Sequence, residues 1–270
     1  MQRIALGVEY NGADFHGFQL QQSAVNTVQQ QLQAGLSSIA DEPITLVCAG
    51  RTDAGVHATE QVVHFDTLSD RPLQAWSLGV NARLPAGISV RWAQNIGPDF
   101  HARFSALSRQ YRYVINNSTT RPALFGDQLT WFKRPLNIGD MVEAARCLVG
   151  EHDFSALRAA QCQAKSPIRA IHKLAIGRWQ SMLAIDIQAN AFLHHMVRNI
   201  AGCLLAIGAG DKPIEWMQTV LDGRDRNCAA ATASARGLYL VKVEYPQQFA
   251  LPQTPIGPLL LPADVVWQQC

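Results

Sequence analysis

Residues 44–66 read ITLVCAGRTDAGVHATEQVVHFD. Two runs of β-forming residues, Ile44–Ala49 and Gln61–Asp66, predict an antiparallel pair of strands. The segment between them, Gly50–Glu60 (GRTDAGVHATE), is far longer than the two to five residues of an ordinary hairpin turn. It is also chemically dense, holding two glycines, an arginine, an aspartate and a histidine. Long loops on rigid strands are where function collects; the plainer alternative is a structural turn in which Asp53 accepts bonds from the amides that follow it. Arg51, two residues away, would favour the carboxylate anion, as a nucleophile or general base requires. Gly50 and Gly55 permit unusual backbone conformations and close approach by a substrate.

Working outward, Arg3–Tyr10 alternates as a strand and Thr27–Ala40 places Val28, Leu32, Leu36 and Ile39 on one helical face. Leu73–Asn81 predicts a short helix and Ile88–Ala93 a strand, completing the order βαββαβ. The second half repeats it: strand Arg109–Asn116, helix Ile138–Val149, a hairpin Ile168–Arg178 with Met182–Ala189, helices Leu193–Ile207 and Ile214–Leu221, and a closing strand Gly237–Tyr245. The fold class is α+β: two ferredoxin-like βαββαβ halves forming mixed or antiparallel sheets flanked by helices, with a cleft between the halves. Residues 1–105 would carry the dense loop, and residues 106–270 would form the second half. The tail Leu251–Pro262, with four prolines, reads as an extended strap.

Composition narrows the class. The 270 residues are 48% hydrophobic and 16% charged, too apolar for disorder and long enough for a full core. The longest apolar run, Ile200–Gly210, is well short of the roughly 20 residues that span a bilayer. Met1–Arg3 leads straight into IALGVEY, and six scattered cysteines show no C-x-x-C pair. The expectation is a cytoplasmic protein with reduced thiols, no membrane association and no zinc site. The net charge of +2 divides unevenly, with −3 on residues 1–107 and +5 on residues 108–270. Between Phe154 and Ile185 there is no acid, yet Arg158, Lys165, Arg169, Lys173 and Arg178 fall there. Such a stretch suits phosphate-backbone contact, although an ordinary solvated face would look the same.

Gly50–His57 (GRTDAGVH) resembles the signature of the TruA family of tRNA pseudouridine synthases. Tyr10–Gln19 (YNGADFHGFQ), Thr27–Gln29, Asn81–Pro85 (NARLP), Phe100–Ala106 (FHARFSA), Arg109–Tyr113 (RQYRY), Phe192–Ile200 (FLHHMVRNI) and Gly237–Tyr239 (GLY) are similar to that family in the same order. The likeness runs from Ile4 to about Pro258. It departs at Phe18, where the family commonly has tryptophan, and at Glu60, where a small residue is usual.

The resemblance implies isomerisation of uridine to pseudouridine at nucleotides 38, 39 and 40 of the tRNA anticodon stem-loop. The N1–C1′ bond breaks, the base turns, and C5 bonds to C1′, a redox-neutral change needing neither cofactor nor metal. It implies tRNA as partner and a homodimer. The family's essential aspartate corresponds to Asp53, which would attack C1′ or remove the 2′ proton, both routes remaining open. Arg198 corresponds to the arginine that the family pairs with this carboxylate. Tyr111 corresponds to a tyrosine that stacks on the flipped base and handles the C5 proton, though a phenol of pKa about 10 is a weak base at neutral pH. Leu238 would form an apolar wall of the pocket, and Arg51 would fill the space the base vacates. Arg71, the run Phe100, His101, Ala102, Arg103 and Phe104, and the run Gln161, Cys162, Gln163, Ala164 and Lys165 fall where the family contacts tRNA.

Two other classes are weighed against this one. A non-catalytic RNA-binding module would suit ferredoxin-like units but has no use for an aspartate in the longest hairpin loop. A small-molecule lyase built on Asp53 and arginines leaves the acid-free stretch unexplained. His194 and His195, taken as neighbours on a helix, would point about 100° apart and so read as scaffold, not metal ligands.

Overall fold

The computed structural model describes residues 1–21, 25–262 and 264–270. In chain order the regular elements are β1 (Gln2–Tyr10), α1 (Val28–Ala40), β2 (Leu46–Cys48), β3 (His57–Thr67), β4 (Ile88–Ile96), β5 (Ser108–Asn117), β6 (Thr130–Phe132), α2 (Ile138–Ala145), β7 (Gly150–Asp153), β8 (Ile168–Trp179), β9 (Met182–Ala189), α3 (Met196–Gly208), α4 (Trp216–Gly223), β10 (Leu238–Glu244) and β11 (Val266–Gln269). A π-helical turn, Ala75–Gly79, sits inside a helical stretch at 73–81. The class is α+β, with mixed sheets and flanking helices.

The chain forms two compact units: residues 1–108 with 239–258, and residues 109–238 with 259–270. The expected single cut at 105/106 therefore differs from what is found. The first unit takes back 239–258 because β10 runs parallel to β3, with Tyr239 opposite His57 and Leu240 opposite Ala58. The second keeps the C-terminus because β11 pairs antiparallel with β8.

In the first unit β3 pairs with β1, β1 with β4, and β2 with β3, all antiparallel, giving the ferredoxin-like order β4-β1-β3-β2. Helix α1 forms where expected. Thr27 caps it by accepting from the Gln30 N–H, while Val28, Leu32 and Leu36 are buried. The 73–81 helix sets Trp76 edge-on against Phe65 of β3, ring centres 5.3 Å apart. Each such large side chain, fully buried, contributes roughly 1.5–3 kcal/mol. The outer edge of β3 is shared: Val63–Phe65 face β2, while His57 and Ala58 face β10. Residues 49–56 occupy the stretch where one neighbour has ended and the other not begun.

In the second unit β5, β9, β8 and β11 form an antiparallel run, with β6 added parallel to β5 and β7 antiparallel to β8. The β8–β9 hairpin closes through Gln180 and Ser181, Gln180 taking a left-handed φ of 52°. Arg112 of β5 lies opposite Asp186 of β9 and binds it at 2.7 Å; Gln110 donates to the other carboxylate oxygen at 2.6 Å. The guanidinium also faces the Trp267 ring of β11 at 5.0 Å, so one charge pair, its carboxylate buried and its guanidinium partly exposed, ties three strands together. Helix α3 begins at Met196, not Leu193, because His195 adopts a left-handed φ of 63° and breaks the helical path. His194 and His195 accordingly precede the helix, their rings 4.0 Å apart and tilted by 39°, which corrects the expectation of divergent neighbours on one helix.

Candidate active site

The loop is shorter than the sequence suggests, since His57–Glu60 already belong to β3 and only residues 49–56 separate the strands. Its backbone is held at several points. The Phe18 N–H donates to the Thr52 carbonyl at 3.0 Å, the Gly55 N–H to the Phe15 carbonyl at 3.3 Å, and the Val56 N–H to the Asp53 carbonyl at 3.1 Å. Gly55 takes a φ of 77°, a conformation that favours glycine. Buried side chains hold it too: the Tyr10 hydroxyl bonds Thr52 Oγ1 at 2.8 Å, and the Gln61 carboxamide bonds both the N–H and the carbonyl of Gly50. Asp53 emerges half-buried between buried Thr52 and exposed Ala54.

The segment 10–18 braces this loop from outside. A Cβ on Gly12 would come within 2.0 Å of the Val56 carbonyl oxygen, and one on Gly17, whose φ is 86°, within 2.8 Å of the Thr52 oxygen. Only glycine allows that approach. The Gly12 N–H donates to His57 Nδ1 at 3.0 Å, so that nitrogen is an acceptor, and the His57 ring stacks on Tyr239 with centres 4.6 Å apart. Helix α1 is anchored on the same segment through the Val28 and Gln29 amides, which donate to the Gly17 and Phe18 carbonyls.

Arg51 is exposed and makes no ion pair among the described residues, so the expected cation beside the carboxylate is not formed by this side chain. It lies, with Arg103, within electrostatic reach of the Cys48 thiol, where burial nevertheless dominates and pushes the pKa up to about 11. Of the run 100–104, Phe100 and Ala102 are fully buried and belong to the core, so their side chains are not available to RNA. The reason is local. The Ala102 N–H donates to His64 Nδ1 at 3.1 Å, and the Phe100 ring packs on Tyr245 and Phe249 at 5.1 Å. His101, Arg103 and Phe104 form the outward face. The His101 ring stacks on Phe104 at 4.3 Å, and its Nδ1 accepts from the N–H groups of Arg103 and Phe104. Arg71 is exposed beyond the far end of β3, its Nε donating to the Ile39 carbonyl at 3.2 Å. Glu60 points inward, bonded by the Thr254 hydroxyl at 2.5 Å with Lys242 nearby; burial raises its pKa.

In the second unit Tyr111 is nearly buried on β5, with the Phe192 ring edge-on at 5.1 Å. Tyr113, two residues on, is a core tyrosine: it donates to the Ser234 carbonyl at 2.9 Å, and burial raises its pKa to about 12. Arg198 is half-buried in the first turn of α3. Its Nε donates to the Ala233 carbonyl at 2.8 Å and its own carbonyl accepts from the Ala233 N–H. Leu238 is buried at the start of β10. In the run 161–165 Gln161, Gln163 and Lys165 are exposed, while Cys162 and Ala164 are partly covered.

Sequence reading missed Tyr10, Gly12, Gly17, His57 and Gln61 as supports of the loop. The legible sign was Gln61, an amide heading a strand whose next members are apolar, QVVHF.

The first unit is thus an α+β scaffold that presents one carboxylate, Asp53, on a loop fastened from several sides. A family model described as tRNA pseudouridine synthase matches residues 7–105 and 144–246. Proteins named tRNA pseudouridine synthase A are similar over almost the whole chain. That of Alcanivorax borkumensis is 56% identical over 262 residues, 97% of this chain and 98% of the relative. That of Pseudomonas aeruginosa is 54% identical over 261 residues (97% and 92%), and that of Photobacterium profundum 55% over 260 (96% and 99%). The chain belongs to the tRNA pseudouridine synthase family, and is thereby an isomerase.

Proposed function

We propose that this protein isomerises uridine to pseudouridine in tRNA, at positions 38, 39 and 40 of the anticodon stem-loop. The observation that carries the reading is the placement of Asp53, half-exposed on a loop whose neighbours Gly50 and Thr52 are fixed by buried bonds. A uridine in a stem must leave the stack before its C1′ can be reached. Asp53 then acts at the ribose, Tyr111 stacks on the base and handles the C5 proton, Arg198 and Leu238 contact the same nucleotide, and Arg51 fills the space left behind. The bond N1–C1′ breaks, C5–C1′ forms, the C5 proton is lost and N1 gains one. Two routes at the ribose balance equally: attack by the carboxylate on C1′, which C5 then displaces, or removal of the 2′ proton, which returns to C2′ as C5–C1′ forms. Deuterium at C2′ gives a primary isotope effect only in the second.

Arg71, His101, Arg103, Phe104, Gln161, Gln163 and Lys165 are the residues we assign to the tRNA backbone, by shape and phosphate rather than base sequence. Phe100 and Ala102 support that surface from the core, with Cys162 and Ala164 beneath the exposed run. The reading includes a homodimer working in the cytoplasm; no helix among the described residues is long and apolar enough to cross a membrane. The test is tritium release from tRNA carrying 5-tritiated uridine at positions 38–40, beside a control with cytidine there and labelled uridine elsewhere. Release from the first alone is expected. Tight binding without release would make the protein an RNA-binding module.

A further inference from the structure

Strands β2 and β3 pair at Leu46–Phe65, Val47–His64 and Cys48–Val63, and the Ala49 N–H still donates to the Val62 carbonyl at 2.8 Å. One step further, where Gly50 would meet the backbone of Gln61, the chain turns away into the loop. There the Gln61 side chain stands in for the missing strand. Its Oε1 accepts from the Gly50 N–H at 3.3 Å, and its Nε2 donates to the Gly50 carbonyl at 2.6 Å. A carboxamide can do this because, like a peptide group, it offers a carbonyl and an N–H side by side. Gln61 is fully buried, so these bonds are made away from water, where a polar group left unpaired is costly. The same Nε2 lies 3.5 Å from the Tyr10 hydroxyl, which binds Thr52 Oγ1. Gly50 and Thr52, on either side of Arg51 and just ahead of Asp53, thus hang from one network rooted in β1 and β3.

We propose that Gln61 is a positioning residue for the isomerisation: it fixes where the loop leaves the sheet and, through Gly50 and Thr52, where the Asp53 carboxylate stands. This rests on the reading of Asp53 as the catalytic group. Buried as it is, Gln61 touches no substrate, so its loss acts on the rate and not on tRNA affinity. A misplacement of about 1 Å at a reacting group costs on the order of 100-fold.

The experiment compares Gln61→Met, which keeps the length without hydrogen bonds, and Gln61→Glu, which turns a second oxygen toward the Gly50 carbonyl, with Asp53→Asn. Each is assayed by tritium release at saturating tRNA, below a melting temperature measured on the same preparation, alongside Kd for tRNA. Gln61→Met is expected to lower kcat about 10- to 100-fold with Kd within about twofold. Gln61→Glu should be at least as slow, and Asp53→Asn inactive. A Gln61→Met kcat within twofold of wild type, with Asp53→Asn inactive, overturns this proposal alone. Equal losses in kcat and affinity in folded protein overturn it as well, because the whole surface has then moved. An active Asp53→Asn removes the reading beneath it.

Discussion

Loop 49–56 has bonded backbone at Ala49, Gly50, Thr52, Asp53, Gly55 and Val56, and it receives side chains from both β1 and β3. The run 161–165, in the other unit, has no regular structure, and its polar side chains Gln161, Gln163 and Lys165 stand in solvent. The two regions are assigned to the same substrate for different tasks. Breaking a glycosidic bond requires a carboxylate held at one place relative to C1′, and a fastened backbone supplies that. Neutralising phosphates requires charge within reach, and long side chains on an open surface suffice. Substitutions should therefore act on rate in the first region and on affinity in the second.

Apart from changes at Asp53 and Gln61, the largest expected effect is from Gly12→Ala. The new methyl would fall 2.0 Å from the Val56 carbonyl oxygen, backbone against backbone, so the brace must shift. Single-turnover rates should fall about 10- to 100-fold with tRNA binding nearly unchanged. A rate equal to wild type would show the brace to be slack.

Acid should also act first on the fastened unit. Burial, with Arg3 and His101 close by, lowers the pKa of His64 from 6.5 to about 4, so the folded state holds the imidazole neutral; Asp66 opposes this in part. The folded pKa is depressed, hence the unfolded chain binds the extra proton. Stability is present above about pH 6.5 and is lost as the pH falls toward about 4. Urea midpoints at pH 7, 5.5 and 4 should decline, and His64→Gln should decline less. Parallel declines for both proteins would remove His64 as the cause.

In the open region, Lys165→Ala should weaken tRNA binding several-fold and reduce the slope of log K against log salt by about one, leaving kcat at saturation alone. Gln163→Ala, exposed and uncharged, is the comparison: it should weaken binding less and leave the salt slope unchanged. An unchanged salt slope for Lys165→Ala would take phosphate contact away from this residue.

Much of the first unit was legible because its signals are local. The 3.6-residue spacing of Val28, Leu32 and Leu36 and the cap at Thr27 give α1, and the 73–81 helix forms over its expected span. The dense loop singled out Asp53 as a candidate by its length and residue types. The return of residues 239–258 to the first unit was not legible, since a parallel pairing of Tyr239 with His57 leaves no mark in either stretch. Strands β6, β7 and β11 are too short to alternate visibly. Family likeness marked 100–104 as one contact run, but only burial separates Phe100 and Ala102 from His101, Arg103 and Phe104. Gln61 looked like the first residue of a strand; its part as a surrogate backbone needs Gly50 in view.

The most direct test of the division between the two regions is single-turnover tritium release at saturating tRNA by Asp53→Asn and Lys165→Ala, with Kd measured on the same samples. Asp53→Asn should release no tritium while binding tRNA as wild type does, and Lys165→Ala should release it at the wild-type rate once saturated. Release by Asp53→Asn at the wild-type rate would contradict the account.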